Sequence, residues 1–342
     1  MKDKRRLVKG WVLQDLEWIE PKDAEQVDAG YWYVDGEWLE LERANRRHSK
    51  IDRMWVIPRA EVLLHTTLDR EVALRAIGVM ERAIEEMRKV FGAEPELPLR
   101  VGLVRDEEQY DRFAFGDPDG RRLPSHAGRW NLIHSAFFAE SFFVPEKRKH
   151  EYRGMGIGYW DSLAPNGDLF GVNAARLAVG LSYVEALDPS PKAVRSAAKD
   201  GPGSDYYSAF RAEKKLPEWL RYGAAVYAER YYEDTTVPSD GDPWWARNWS
   251  TDSLRGRGGM RPLDEIFTFE IDPADRADGQ KFLIEAGLVV AFIVDGGCAP
   301  VSVEHAKLKK ALLAGRVTGG HIEALSEALR ANVDSLLSFG GL

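Results

Sequence analysis

The sequence predicts an α+β protein, and three observations predict it. A 20-residue internal repeat of hairpin character opens the chain, strands then alternate with long amphipathic helices, and the last third is helical in pattern. The expected organisation is a module of two Trp-containing hairpin repeats over residues 1–53, a mixed-sheet α+β domain over 54–278, and a helical C-terminal subdomain of the same unit over 279–342. With 342 residues, 44% of them hydrophobic, the chain is long enough to bury a sizeable core.

The repeat sets Gly10-Trp11-Val12, Asp15, Glu17-Trp18-Ile19-Glu20 and Ala24 against Gly30-Tyr31-Trp32, Asp35, Glu37-Trp38-Leu39-Glu40 and Ala44. Each copy reads as an aromatic strand, a turn at Asp15 or Asp35-Gly36, a second strand around a tryptophan, and a helix-prone segment. Two such units bury little alone, so they are expected to pack on the main domain or to end a longer array.

From Met54 a strand at Trp55–Ile57 and another at Ala60–Thr66 precede a long helix opening near Asp69, with Leu74, Ile77, Met80, Ile84, Met87 and Phe91 at helical spacing. Gly92 and Pro95 end it. Leu99–Val104 alternates as a strand, and Asp106-Glu-Glu-Gln109 reads as an N-cap opening a helix through Phe113. Residues 116–130 are loop-like, Ser135–Val144 is an aromatic strand, and Gly154–Trp160 is a glycine-rich strand or turn. Helices follow at about Val172–Leu187, Tyr207–Lys214 and Pro217–Tyr232, a long loop at 234–262, then helices at Gly279–Asp295, Ser302–Leu313 and His321–Ser338.

Composition excludes several functions. The net charge of −8 comes from interspersed acids and bases, whereas a phosphate-binding surface needs clustered Lys and Arg, so no nucleic-acid partner is expected. One cysteine, Cys298, excludes an internal disulfide and a cysteine-built metal site while leaving the compartment open. The basic start Met1–Arg6 runs into Leu-Val-Lys-Gly-Trp rather than a signal-peptide core, and no apolar stretch has transmembrane length. The abrupt entry into the repeat at Trp11 suggests a fragment of a longer, exported or anchored protein.

Three stretches carry a family likeness: the order strand, long helix, strand, then Asp106-Glu-Glu-Gln-Tyr-Asp-Arg-Phe113; Leu216-Pro-Glu-Trp-Leu-Arg-Tyr-Gly-Ala-Ala-Val-Tyr227; and Arg261-Pro-Leu-Asp-Glu-Ile-Phe267 followed by Glu285–Val294 and a terminal helix. Together, over roughly residues 58–342, they resemble the "peptidase MA-like" group of gluzincin metallopeptidases. The second stretch, which looks like that family's Leu-Pro-x-Trp-Leu-x-Glu-Gly-x-Ala-x-Tyr, is the most specific.

The resemblance implies a zincin-like domain whose zinc would sit on His-Glu-x-x-His, since positions i and i+4 of a helix share a face and reach one ion. A carboxylate on the next helix would complete the set. Here the matching helix reads Arg176-Leu-Ala-Val-Gly-Leu-Ser-Tyr-Val-Glu185, which places Val179, Gly180 and Tyr183 at the ligand and base positions and Tyr222 at the third ligand. Shifting by one residue gives Gly180, Leu181 and Val184. Valine and glycine side chains offer no donor atom and a neutral tyrosine is a poor zinc ligand, so zinc is expected to be lost and catalysis with it.

Other residues compete for a role. No two of the seven histidines stand at i, i+4 spacing; His126 and His134, with Glu140, are the set from which a relocated hydrolase site would be built. Ser182 lacks the glycine pattern of a nucleophile elbow, and Gly154-x-Gly156-x-Gly158 lacks the spacing of a dinucleotide loop. Trp219, Trp244, Trp245 and Trp249 are candidates for a cleft wall holding a peptide or sugar ring, or equally for core plugs. The pattern around Trp11, Trp18, Trp32 and Trp38 is similar to choline-binding cell-wall repeats, whose aromatic cages hold a quaternary ammonium. The functional expectation is a catalytically inactive, peptidase-like protein that binds a peptide or protein or serves as a scaffold, with an active hydrolase or a surface-binding module as alternatives.

Overall fold

The computed structural model describes residues 2–110, 136–145, 150–165, 167–189, 213–230, 246–270 and 275–342. Helix α1 (Lys2–Val8) leads into hairpin β1 (Val12–Gln14) and β2 (Glu17–Ile19), then a 3₁₀ turn and helix α2 (Ala24–Asp28). The second unit repeats this as β3 (Trp32–Val34), β4 (Glu37–Leu39) and α3 (Leu41–His48). The registers match, Leu13 facing Trp18 and Tyr33 facing Trp38. Alternation sends Ile19 and its counterpart Leu39 inward, with Gln14 and Val34 beside them, and leaves Leu13 and Tyr33 in solvent. The period reaches back to α1: the Trp11 amide donates to the Arg6 carbonyl at 3.0 Å as that of Tyr31 does to Gln26 at 2.9 Å, past glycines at φ 77 and 85.

Both turns place an aspartate at positive φ, Asp15 at 52° and Asp35 at 51°, a conformation that aspartate tolerates better than most residues. Each then holds arginine. Arg70 donates twice to Asp15, at 2.6 and 2.7 Å, and Arg47 donates to Asp35 at 2.9 Å, which together with Arg53 holds that carboxyl below its usual range.

The main sheet has strands β5 (Trp55–Pro58), β6 (Val62–Thr66), β7 (Leu99–Val104), β8 (Ala136–Pro145) and β9 (His150–Tyr159), ordered β5-β6-β7-β9-β8. The centre is parallel and both edges are antiparallel. A short hairpin suffices for β5–β6, whereas the parallel step from β6 to β7 needs a crossover, supplied by helix α4 (Arg70–Phe91). Its first free amide, that of Arg70, is capped by the Asn45 carboxamide of α3 at 3.0 Å, and Gly92 at φ 62 closes its end. Ala73, Ile77, Met80, Ile84, Met87 and Phe91 form its buried face; Leu74, expected on that face, is 40% exposed because the stripe runs through the alanines on either side of it.

Helix α5 (Gly167–Leu187) lies on the sheet. The glycines expected as a strand or turn are strand, and Gly156 has a packing reason: a Cβ there would fall inside the Ala178 carbonyl of α5. Ser182 locks the contact, accepting from the Gly156 amide at 2.8 Å and donating to the Arg100 carbonyl at 2.7 Å. Helix α6 (Glu218–Arg230) packs on α5. The stretch read as a loop at 234–262 contains helix α7 (Ala246–Gly256), followed by α8 (Leu263–Phe267). Helix α9 (Arg276–Asp295) packs on α6, and α10 (Ala299–Leu313), α11 (Gly319–Ala331) and α12 (Val333–Gly340) close the chain. The single helix expected at His321–Ser338 breaks at Asn332. The helix expected at Tyr207–Lys214 lies almost wholly outside the described residues. Val34, Leu39 and Ala44 share one hydrophobic core with the sheet and the helices. Among the described residues no single helix is long and apolar enough to cross a membrane; α9 and α10 pass only as a pair bent by 95°.

Candidate functional site

The positions matched to the zinc ligands lie on α5 and α6, and both helices are buried there. Val179 and Tyr183, one turn apart, are fully covered. Tyr183 points its hydroxyl at the Ala93 carbonyl, 2.5 Å away, and its ring stacks on Phe91 at the end of α4, so burial pushes its pKa up. Gly180 marks a close approach of α5 to α6: a Cβ there would stand 3.1 Å from the Ala225 Cα. Gly223 does the same on the opposite face, where a side chain would strike the Ala286 carbonyl of α9. Arg176 reinforces the first crossing, donating to the Ala228 carbonyl at 2.7 Å. Tyr222 is half-buried, with the Arg221 guanidinium 5.4 Å from its ring centre. In the shifted register Leu181 and Val184 are likewise buried.

At these positions the helix pair thus presents buried aliphatic carbon, a glycine and two phenols. Among the described residues no group of three His, Cys, Asp or Glu could hold a metal. The buried charges nearby are structural. Glu285 of α9 takes the Arg261 amide at 2.8 Å and the Arg261 guanidinium at 2.6 Å; burial raises its pKa while Arg261 opposes the rise. Lys214 pairs with Glu185, and burial lowers its pKa. Asp188 accepts the amides of Lys215 and Leu216 at 2.8 Å each, fixing the approach to α6.

Trp219, a cleft candidate, belongs to the core: it is 1% exposed and its ring leans on Phe267 at 5.0 Å, because the helix that carries it is clamped between α5 and α9. Trp244, Trp245, His126 and His134 lie outside the described residues, while Trp249 and Glu140 lie on α7 and β8. His65 and His305 are buried, and burial pulls both pKa values down to about 4; the His305 ring meets the Val90 carbonyl at 2.6 Å.

Three of the repeat tryptophans, Trp11, Trp18 and Trp32, carry an arginine of this chain near the ring, and Trp38 meets the Tyr33 ring at 5.2 Å. The Arg70 guanidinium lies 3.8 Å over Trp32 and 5.0 Å from Trp55, and Arg6 lies 5.6 and 5.4 Å from Trp11 and Trp18. At Trp11, Trp18 and Trp32 the protein's own arginines lie where a quaternary ammonium would stack. Arg70, which joins the first hairpin, the second hairpin and the sheet, carries no sequence motif.

The described residues also form two recesses of note. One, of about 560 Å³, lies between α7 and the end of α12, where Thr251 and Arg255 bond the carbonyls of Gly340 and Gly341. The other, of about 380 Å³, lies where the two hairpin units meet β5 and is lined by Leu13, Val27, Tyr31, Trp32, Pro58 and Arg59 among others. No protein-family model, curated protein or solved structure matches this chain.

Proposed function

We propose that the chain is a catalytically inactive, metallopeptidase-like protein that acts as a peptide- or protein-binding or scaffold domain. The observation that carries this reading is the packing of the matched positions: Val179 and Tyr183 are core residues, and Gly180 meets Ala225 across the helix crossing. A zinc-activated water needs an open coordination position in a cavity lined by donors. The order of elements also supports it, since a mixed sheet carries α5, and the helix bearing the matched third position packs on α5 as the gluzincin resemblance implies.

Elemental analysis of protein purified without added zinc or chelator, paired with a casein-cleavage assay with and without added zinc, tests the reading. Zinc far below one equivalent and no zinc-dependent cleavage are expected. Stoichiometric zinc with metal-dependent cleavage would overturn it.

A further inference from the structure

The exposed apolar side chains of the protein are unevenly placed. Among the described residues Leu7, Val8, Leu13, Leu16 and Tyr33 are five of the eleven large hydrophobics that stand in solvent, although they come from about the first tenth of the chain. Leu13 also lines the crevice between the hairpins and the edge of the sheet, with Val27, Tyr31, Trp32 and Pro58 as its other apolar walls. Its floor is fixed, because the Gln14 carboxamide of the first hairpin donates to the Tyr31 carbonyl at 2.8 Å and accepts the Tyr33 amide at 3.0 Å.

Charge decides what fits. Within the crevice Arg70 is neutralised by Asp15, so that pair contributes no net charge. Arg59 is exposed, bonds the carbonyl of its own neighbour Pro58 at 2.9 Å, and has no ion pair among the described residues. The crevice thus joins apolar walls to the polar groups of Gln14, Asp15 and Arg70, and among the described residues Arg59 is its one lining charge without an ion pair. One positive charge is too little for a nucleic-acid backbone, which needs several phosphate contacts. It suits one carboxylate.

We infer that this crevice docks an extended peptide segment in which a carboxylate stands beside an apolar side chain. The apolar side chain lies against Leu13, Tyr31 and Pro58, and the carboxylate meets Arg59. This rests on the binding reading above and names its site and the chemistry of its partner, but it is independent of whether zinc is bound.

The experiment is selection of a phage-displayed random heptapeptide library on the immobilised full chain, with Arg59→Glu and Leu13→Asp variants carried in parallel. Both residues are exposed, so each variant keeps the fold, which circular dichroism checks. The wild-type chain is expected to enrich peptides with Asp or Glu next to Leu, Phe or Ile. Resynthesised with blocked ends, such a peptide should bind roughly tenfold more weakly to either variant, and more weakly as salt rises. Replacing its acid by the amide should cost a similar factor. Peptides that bind the wild type and both variants equally would leave the binding function standing and overturn this site; no enrichment, or enrichment of basic sequences, would overturn the inference outright.

Discussion

His65 and His305 are the residues on which acid should act first. Each is neutral in the fold, with its pKa drawn by burial from near 6.5 to about 4, and for His305 the nearby Lys309 adds to the effect. Between those two values the unfolded chain binds protons that the folded chain refuses. Stability is therefore fully present above about pH 6.5 and is lost as pH falls toward 4, on the order of 3 kcal/mol for each histidine. Urea denaturation at pH 7 and pH 5 measures the loss, and His305→Gln should flatten the dependence while costing some stability at neutral pH. An unchanged pH slope in that variant would assign acid sensitivity elsewhere. Gly180 illustrates the same scale differently: a glycine in mid-helix costs about 1 kcal/mol relative to alanine, and here the cost admits the Ala225 backbone.

At the scale of elements, the two hairpin units are attached by side chains rather than by strand pairing. Arg70 makes two bonds to Asp15 and stacks over Trp32, and its amide is capped by Asn45. Arg70→Ala should cost about 2–3 kcal/mol, because Asp15 is left largely buried without its partner. It should also free the first hairpin from the body, so limited proteolysis should cleave within residues 1–31 of the variant before the wild type. Equal cleavage rates would mean that Gln14, bridging Tyr31 and Tyr33, suffices to hold the unit.

For the whole molecule, the repeat module and the α+β body are not separable in energetic terms. Val34 and Leu39 lie in the same hydrophobic core as the sheet, and Trp32 sets its ring edge against Trp55 at 5.2 Å. A chain lacking residues 1–49 is expected to lose about 4 kcal/mol from these two aliphatic side chains alone. Its Tm should drop and it should bind a hydrophobic dye such as ANS. A truncated chain with the wild-type Tm would show the module to be an independent appendage. The boundary near residue 53 is a real change of sequence pattern, but the core does not respect it.

Local patterns determined a great deal. The 20-residue period, the α+β class, and the span of α4 with its closing glycine were legible because each depends on side-chain alternation or on one residue's backbone preference, whereas Gly154–Trp160 read as strand or turn until the sheet settled it. The chemical poverty of Val179, Gly180, Tyr183 and Tyr222 was legible too, since whether a side chain carries a donor atom is a property of the residue alone. What only the tertiary structure decided was where faces meet. Trp219 went to the core, Leu74 turned outward, and α7 formed inside a segment rich in Gly, Pro and Trp. Arg70 found Asp15 across 55 positions, and Arg59, which bonds the Pro58 carbonyl, lines a crevice without an ion pair among the described residues. Such pairings depend on long-range packing and burial, which no window of local sequence encodes.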